Sequence, residues 1–402
     1  MRNAWAEVDL GAIRHNVGVV RAAVHPAQIW AVVKADGYGH GAVAVAVAAL
    51  DAGATGLCVA LVQEGVQLCE AGIEAPILVL SEQPESELEL LVTHGLTATA
   101  YSAAGIAALA THADRAGVDN VAVHLKIDTG MHRVGAAPDD AVQLALRIIA
   151  TPQLRLEGAF THLAIADEPT AAANDRQLDL FDQVLDDLWL VGVRLAFIHA
   201  ANSAAALGIT RARFDLVRLG IAMYGIAPGP GVAESCDGLR PALTLKARVG
   251  FVRRASAGEG VSYGLRHTFE RDTNVATIPI GYADGVPRRL FATGGAVLIG
   301  GRRCPIVGVV TMDQLMVDCG DAPVAVGDEV VLIGFQSGPD GDAQISVNEW
   351  AERLDTIGYE IVCGISQRIE RRYECANSVK ESNDETLAVQ SLRPQTGLSD
   401  CD

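Results

Sequence analysis

Between residues 29 and 219, short apolar runs alternate with longer amphipathic stretches. The apolar runs occupy 29–33, 57–61, 77–80, 96–100, 121–127, 156–160, 197–200 and 216–219. Each is too short for a helix and carries almost no polar interruption, as expected of strands covered on both faces. Helical periodicity fills most of the gaps, for example over 85–93 and 175–190. Asp9 is placed to cap a helix running through Val24. Parallel strands need such helical crossovers, and this repeat predicts a closed (β/α)8 TIM barrel. An open doubly wound sheet is the alternative from pattern alone.

The rhythm changes after Gly229-Pro230-Gly231. Beyond it lie β-type runs at 243–252, 275–280, 296–299, 305–310, 315–318 and 329–333. Only 346–354 reads as helical there, with Ser346 as N-cap and Glu349 as its capping-box partner. The expected organisation is therefore an α/β barrel over 1–235 and a mostly β domain over 236–375, with residues 1–9 able to pair with the second domain. The segment 376–402 is acidic, polar and aperiodic, and is expected not to fold.

Charge narrows the partners. A formal net charge of −18 repels phosphate backbones and anionic lipid, so neither nucleic acid nor a membrane is expected. The eight cysteines include no C-x-x-C pair, and no His/Cys cluster has zinc spacing, so no metal is expected. Scattered thiols and the lack of an apolar leader fit a cytoplasmic protein.

In a barrel of this kind, chemistry sits where strands end and βα loops begin. Those positions here hold Lys34-Ala35-Asp36-Gly37-Tyr38-Gly39-His40-Gly41, then Asp128-Thr129-Gly130-Met131-His132-Arg133, Thr161-His162, Asn202-Ser203 and Arg218-Leu219-Gly220-Ile221. Each has an ordinary explanation. Lys34 could be a surface lysine, His162 a satisfied core histidine, Arg218 a partner of Asp215, and Asn202-Ser203 a plain helix cap. Together they place an amine, two guanidiniums and phosphate-seating groups on one rim. A desolvated lysine can form an imine with an aldehyde, and amides at a helix start can seat phosphate.

The segment Ala31-Val32-Val33-Lys34-Ala35-Asp36-Gly37-Tyr38-Gly39-His40-Gly41 closely resembles the pyridoxal-phosphate attachment motif of the bacterial alanine racemase family. The likeness continues through Lys126-Ile127-Asp128-Thr129-Gly130-Met131-His132-Arg133, Phe160-Thr161-His162 and His199-Ala200-Ala201-Asn202-Ser203. It extends to Arg218-Leu219-Gly220-Ile221, Val261-Ser262-Tyr263-Gly264, Gly281-Tyr282-Ala283-Asp284-Gly285, Thr311-Met312-Asp313-Gln314 and Gly358-Tyr359-Glu360. The segments occur in the family's order and cover both expected domains.

The resemblance implies an isomerase that interconverts L- and D-alanine by two-base α-proton transfer, supplying D-alanine for peptidoglycan. Lys34 would hold pyridoxal 5′-phosphate through an imine and serve one face, and Tyr263 the other. Tyr38, Ser203, Gly220, Ile221 and Tyr359 would hold the phosphate, with His162 and Asn202 completing the cofactor set. Arg218 would meet the pyridine nitrogen. Arg133 would meet the cofactor's phenolic oxygen and the substrate. Tyr263, Tyr282 and Met312 would come from the other chain of a head-to-tail homodimer, with Met312 and Tyr282 lining the substrate pocket. Lys126 resembles a lysine often carbamylated in the family.

A phenol has a pKa of about 10 and needs help to act as a base near neutrality. The resemblance implies such help, through a hydrogen-bonded chain from Tyr263 by way of His162 to Arg218. Two departures stand out. Val309 occupies a position where arginine is frequent, and His132 one where glycine is frequent. Three other readings compete: a barrel-plus-β decarboxylase, a non-enzymatic pyridoxal-phosphate carrier, and a racemase for serine, lysine or another side chain. The first lacks its Gly-rich phosphate loop here, and residues 240–373 argue against the second. The third turns on pocket differences of about 1–3 kcal/mol per methylene.

Overall fold

The structure is a computed structural model that describes residues 3–339 and 341–374. The acidic segment 376–402, with Cys375 and Cys401, lies outside the described residues.

Strand β1 (Ala4–Asp9) runs directly into helix α1 (Leu10–Val24). Asp9 ends the strand and caps the helix, its carboxylate accepting from the Ala12 amide at 3.0 Å, a cap worth about 1 kcal/mol. The barrel strands follow: β2 (Gln28–Val32), β3 (Gly56–Val59), β4 (Ile77–Val79), β5 (Ala98–Ala100), β6 (Val121–Lys126), β7 (Leu154–Phe160), β8 (Phe197–His199) and β9 (Leu216–Leu219). Helices α2 (Lys34–Tyr38), α3 (Ala42–Asp51), α4 (Val62–Glu70), α5 (Glu85–Thr93), α6 (Ala103–Ala116), α7 (Ala141–Ile149), α8 (Ala172–Leu190) and α9 (Ser203–Gly208) lie between and after them.

All barrel ladders are parallel, in two arcs ordered β4-β3-β2-β9 and β5-β6-β7-β8. A parallel bridge between Leu78 and Thr97 joins one seam. At the other, the Asp215 amide donates to the Ile198 carbonyl at 3.0 Å. The sheet therefore closes, and the doubly wound alternative is excluded. Strands such as β3 and β4 are buried along their whole length, which accounts for their unbroken apolar character.

The second region holds β10 (Leu243–Arg248), β11 (Phe251–Ala255), β12 (Gly260–Val261), β13 (His267–Thr268), β14 (Thr273–Ile278), β15 (Ala296–Ile299), β16 (Arg302–Pro305), β17 (Leu315–Gly320), β18 (Glu329–Gly338), β19 (Gly341–Ile345) and β20 (Glu370–Glu374), with helices α10 (Val347–Leu354) and α11 (Gly358–Cys363). Its main sheet runs β16-β15-β18-β10-β1-β20. Strand β1 thus sits inside that sheet, antiparallel to β10 and parallel to β20, before the chain enters the barrel. One contiguous apolar core takes in barrel residues and main-sheet residues alike, while Ala255, Val261, Phe269, Val275 and Val307 form a separate small cluster.

Here the sequence pattern misled in four places. The run 243–252 is two strands, because the chain leaves the main sheet at Val249-Gly250 and β11 joins β14 in a different sheet. The run 305–310 is mostly loop, since β16 ends at Pro305 and Gly308 turns with φ of 70°. Helix α11 was missed; six residues are too few to show a period, and no side chain caps it. At α10, Ser346 does cap the Glu349 amide at 3.0 Å. The Glu349 carboxylate, however, pairs with Arg303 at 2.7 Å and Arg353 at 3.2 Å rather than completing a capping box.

Candidate active site

Lys34 opens the turn that follows β2. Ala35, Asp36 and Tyr38 have φ of 52°, 52° and 53°, so the chain makes a left-handed turn without relying on glycine alone. Such residues cost about 1–2 kcal/mol each and persist only where surroundings enforce them. The enforcement is visible. Glu64 accepts from the Ala35 amide at 2.6 Å while also holding the amides of Ala60 and Leu61 at 2.8 and 3.1 Å. Asp36 accepts from the Ala42 amide at 2.9 Å. Gly39 continues the turn with φ of 78°, and a Cβ there would stand 2.3 Å from the Val362 carbonyl oxygen. Arg371 donates to the Gly39 carbonyl at 2.9 Å, tying the turn to β20.

Tyr38 is buried against Tyr224, with ring centroids 4.9 Å apart, and against Tyr359 at 5.9 Å. Burial raises the pKa of both Tyr38 and Tyr359, so each keeps its proton and stays a donor. A Cβ on Gly220 would meet the Tyr38 oxygen at 2.8 Å and lie 3.7 Å from the Ser203 oxygen. Glycine therefore lets the Tyr38 hydroxyl approach the backbone more closely than any side chain would allow. Ser203 Oγ accepts from the Gly220 and Ala222 amides at 2.9 and 3.3 Å, so the Gly220 N–H is already engaged. Ile221 is fully buried beside it. Asn202 caps α9, accepting from the Ala205 amide at 3.0 Å, which is the ordinary explanation for that residue.

On the opposite side of the mouth, Asp128 Oδ1 gathers the amides of Gly130, Met131 and His132, each at 3.0 Å, and so fixes the loop that presents Arg133. Gln177 on α8 pins two loops together, donating to Thr129 Oγ1 at 3.4 Å and to the His162 carbonyl at 3.1 Å. Arg218 is 3% exposed. It makes no pair with Asp215, which instead accepts from the Ile198 amide at 2.7 Å. Its Nη1 faces His199 Nδ1 at 2.8 Å, and its Nη2 faces the Thr161 and Ala200 carbonyls at 2.9 Å and His162 Nδ1 at 3.2 Å.

The electrostatics of this mouth are lopsided. Lys34, Lys126, Arg133 and Arg218 make no ion pair among the described residues. Burial, and then Arg133, lower the Lys34 pKa. Lys126 is 6% exposed, and burial, with Arg218, Arg133 and Lys34 nearby, brings its pKa down to about 8. Burial takes Arg218 to about 10 and, with Arg218 beside it, drives His162 well below its usual value. Buried cations without counterions are costly, which marks the cluster as a place for an anion.

Tyr263, Tyr282 and Met312 are elsewhere. They lie in the β-rich region and are 74%, 43% and 53% exposed. Around Tyr263 the backbone is again left-handed, at Ser262 (φ 66°), Gly264 (φ 75°) and Leu265 (φ 47°). Ser262 Oγ anchors this turn by donating to the Val309 carbonyl at 2.7 Å. Val309 is itself buried, so its side chain does not face solvent at all. Glu64, Tyr224, Gln177 and Arg371 escaped the sequence reading. Tyr224 lies just beyond the segment Arg218-Leu219-Gly220-Ile221, but the others act through contacts distant in sequence.

Two sequence families match the chain: alanine racemase, N-terminal domain, over residues 8–228, and alanine racemase, C-terminal domain, over residues 242–373. Alanine racemase of Symbiobacterium thermophilum is 49% identical over 374 residues, covering 93% of this chain and 97% of that protein. Alanine racemase of Thermobifida fusca is 43% identical over 374 residues, covering 92% and 98%. Among solved structures, alanine racemase from Bacillus anthracis with bound L-Ala-P superposes with a TM-score of 0.87 at 38% identity, covering 95% of this chain and 97% of that one. Alanine racemase from D-cycloserine-producing Streptomyces lavendulae gives 0.86 at 36% identity, covering 94% and 98%.

Proposed function

Because the chain belongs to the alanine racemase family, a pyridoxal-phosphate-dependent family of isomerases, we propose that it interconverts L-alanine and D-alanine, with Lys34 Nζ and the Tyr263 oxygen of a second copy moving the proton on opposite faces of the α-carbon. The observation that carries this reading is the unpaired cation cluster at the barrel mouth, beside the Tyr38 and Ser203 hydroxyls that converge on Gly220. These groups fit pyridoxal 5′-phosphate: a desolvated amine for its aldehyde, hydroxyls beside a glycine for its phosphate, and a guanidinium for its ring nitrogen. Tyr359 and Ile221 border the phosphate seat, Asn202 shapes it by capping α9, and Arg133 is the cation left for the phenolic oxygen and the substrate.

When bound, the cofactor would delocalise the charge left at the α-carbon, which brings that proton within reach of a side chain. One base alone would return the proton to the face it came from, so inversion needs two. The lowered pKa of Lys34 populates the neutral amine that can accept a proton. Arg218 has only donors, so His162 Nδ1, 3.2 Å away, must accept, and the His162 proton sits on Nε2. That N–H can steady a phenolate oxygen brought to it. Beside the cofactor's ring nitrogen, Arg218 would likewise supply only donors and would leave that nitrogen unprotonated.

Tyr263 is exposed in a single chain, so this reading requires a homodimer in which Tyr263, Tyr282 and Met312 close the other chain's barrel. With Tyr359 they would form a pocket that suits a methyl group. Lys126, buried and with a pKa near 8, is disposed to add carbon dioxide as its neutral amine; loss of a proton then leaves a carbamate anion that can pair with Arg133. The same reading puts the enzyme in the cytoplasm, supplying D-alanine for peptidoglycan. No helix among the described residues is long and apolar enough to cross a membrane.

The test is direct. Purified protein mixed with pyridoxal 5′-phosphate should gain a visible absorbance band and convert either pure alanine enantiomer to an equal mixture. Release of carbon dioxide instead of inverted alanine would point to a decarboxylase and overturn the proposal.

A further inference from the structure

A second hydrogen-bonded series leaves Arg218 in the other direction, down the inside of the barrel. Arg218 Nη1 meets His199 Nδ1 at 2.8 Å. His199 Nε2 meets His124 Nδ1 at 2.9 Å. His124 Nε2 makes no hydrogen bond of its own and lies 3.5 Å from Glu157 Oε2, at ion-pair distance. Both imidazoles are fully buried. Aromatic rings sheathe them: Phe160 stacks on His199 at 4.7 Å, while Trp30 and Phe197 lie 5.6 and 6.0 Å from His124. Glu157 lines a cavity of about 460 Å³ at the N-terminal end of the barrel, with Trp30, Arg155 and Phe197. Arg155 Nη1 holds Glu157 Oε1 at 2.8 Å.

The direction of this series is fixed by its ends. A guanidinium only donates, so His199 Nδ1 must accept and the His199 proton must be on Nε2. That proton is donated to His124 Nδ1, which leaves the His124 proton on Nε2, pointing at a carboxylate that only accepts. The opposite order would set His199 Nδ1–H against an Arg218 N–H inside an aromatic sheath, where an unmade hydrogen bond is expensive. The nearby His124 imidazole, and then Arg155, hold the Glu157 pKa down to about 2, so the carboxylate end stays ionised.

We propose that Glu157 and His124 are positioning residues for racemisation: a one-way hydrogen-bond series from Arg218 through His199 to His124, closed by the ion-pair contact of His124 Nε2 with the Glu157 carboxylate, locks both imidazoles in the Nε2–H tautomer and so fixes the guanidinium at the barrel mouth. Glu157, His124 and His199 are not among the groups assigned above to substrate or cofactor. Their influence on catalysis rests on the reading that Arg218 faces the bound cofactor; the direction of the series does not. A glutamine at position 157 can donate or accept, and so no longer dictates the order.

The experiment uses histidine labelled with nitrogen-15 in the full chain, with His124 and His199 assigned by signal loss in single-site variants. Without added cofactor, both residues should show Nδ1 as acceptor and Nε2 as protonated. E157Q should populate the second tautomer at His124. In the protein loaded with pyridoxal 5′-phosphate it should lower kcat about tenfold with KM for alanine nearly unchanged, as loss of a group that orients a functional side chain does. R155A removes the neighbouring cation but keeps the carboxylate, and should leave tautomers and kcat as they were. An Nδ1–H at His124 or His199 in the unaltered protein overturns the proposal, even if E157Q fails to fold. So does an E157Q protein with unchanged tautomers and kcat, or an R155A protein that behaves like E157Q. A missing absorbance band or missing racemisation sinks the proposed function instead, and leaves the tautomer measurement standing.

Discussion

The mouth of the barrel and the rim of the β-rich region are unfinished in opposite ways. At the mouth, Lys34, Lys126 and Arg218 are wholly or largely withdrawn from water, yet among the described residues none of them forms an ion pair with a carboxylate. At the rim, Tyr263, Leu265 and Met312 are apolar or aromatic groups standing in solvent, with 65% of Leu265 exposed. One region lacks an anion and the other lacks a surface. Both are held in left-handed backbone that local preference opposes, around Ala35-Asp36 and around Ser262 and Leu265. Strain at two separate places, each supported by its own tethers, indicates that the fold invests in presenting Lys34 and Tyr263 at fixed positions. Neither region makes a site by itself. An anionic cofactor would complete the first, and a second chain would complete both.

The largest break in this contrast is expected at the mouth. Lys34→Ala should lower racemisation by about four orders of magnitude or more, because on the proposed reading it removes both the amine that would bind the cofactor and one of the two proton carriers. The loss should appear in both directions, together with loss of the visible absorbance band. A Lys34→Ala protein that retains the band would show that another amine holds the cofactor.

Tyr263→Phe should cost less, about 10²–10⁴-fold, the usual share of one acid–base group. It should also cost asymmetrically. Exchange of the α-proton with solvent should continue for the enantiomer served by Lys34 and nearly stop for the other, as read by deuterium incorporation into each pure enantiomer. Equal exchange of both would remove Tyr263 from its role and leave the rim without a catalytic purpose. Because the phenol sits on the exposed rim, folding and stability should hardly change.

How far the sequence could be read follows the same division. The barrel strands are legible because each is buried on both faces and so is apolar without interruption. The β-rich region is not, since whether 243–252 is one strand or two depends on which sheet each half joins, a long-range matter settled at Val249-Gly250. Lys34, Tyr38 and Arg218 could be picked out from residue type and position at strand ends. The tethers that make them useful could not. Glu64 reaches the Ala35 amide from 29 residues downstream. His124 and Glu157 look like ordinary members of strands β6 and β7 until their side chains are seen to meet within the barrel.

The smallest effect concerns Lys126 and tests whether the cation excess is real. Lys126→Met replaces a nearly buried ammonium, 5.4 Å from the Phe160 ring centroid, with an apolar chain of similar length. In the folded protein the Lys126 pKa lies near 8, against 10.5 when unfolded, with burial the leading cause. The charged form is therefore penalised by folding. That penalty is fully present below about pH 8 and fades as pH rises towards the unfolded value. Removing the ammonium should stabilise the cofactor-free protein by about 1–3 kcal/mol near pH 7, read as a higher urea midpoint, and the gain should shrink in alkaline buffer. Bicarbonate should narrow the gap too, because a carbamate on the native lysine turns a surplus cation into an anion beside Arg133. If instead the methionine variant is less stable at every pH, then Lys126 is already well satisfied, and the mouth is not waiting for an anion at that position.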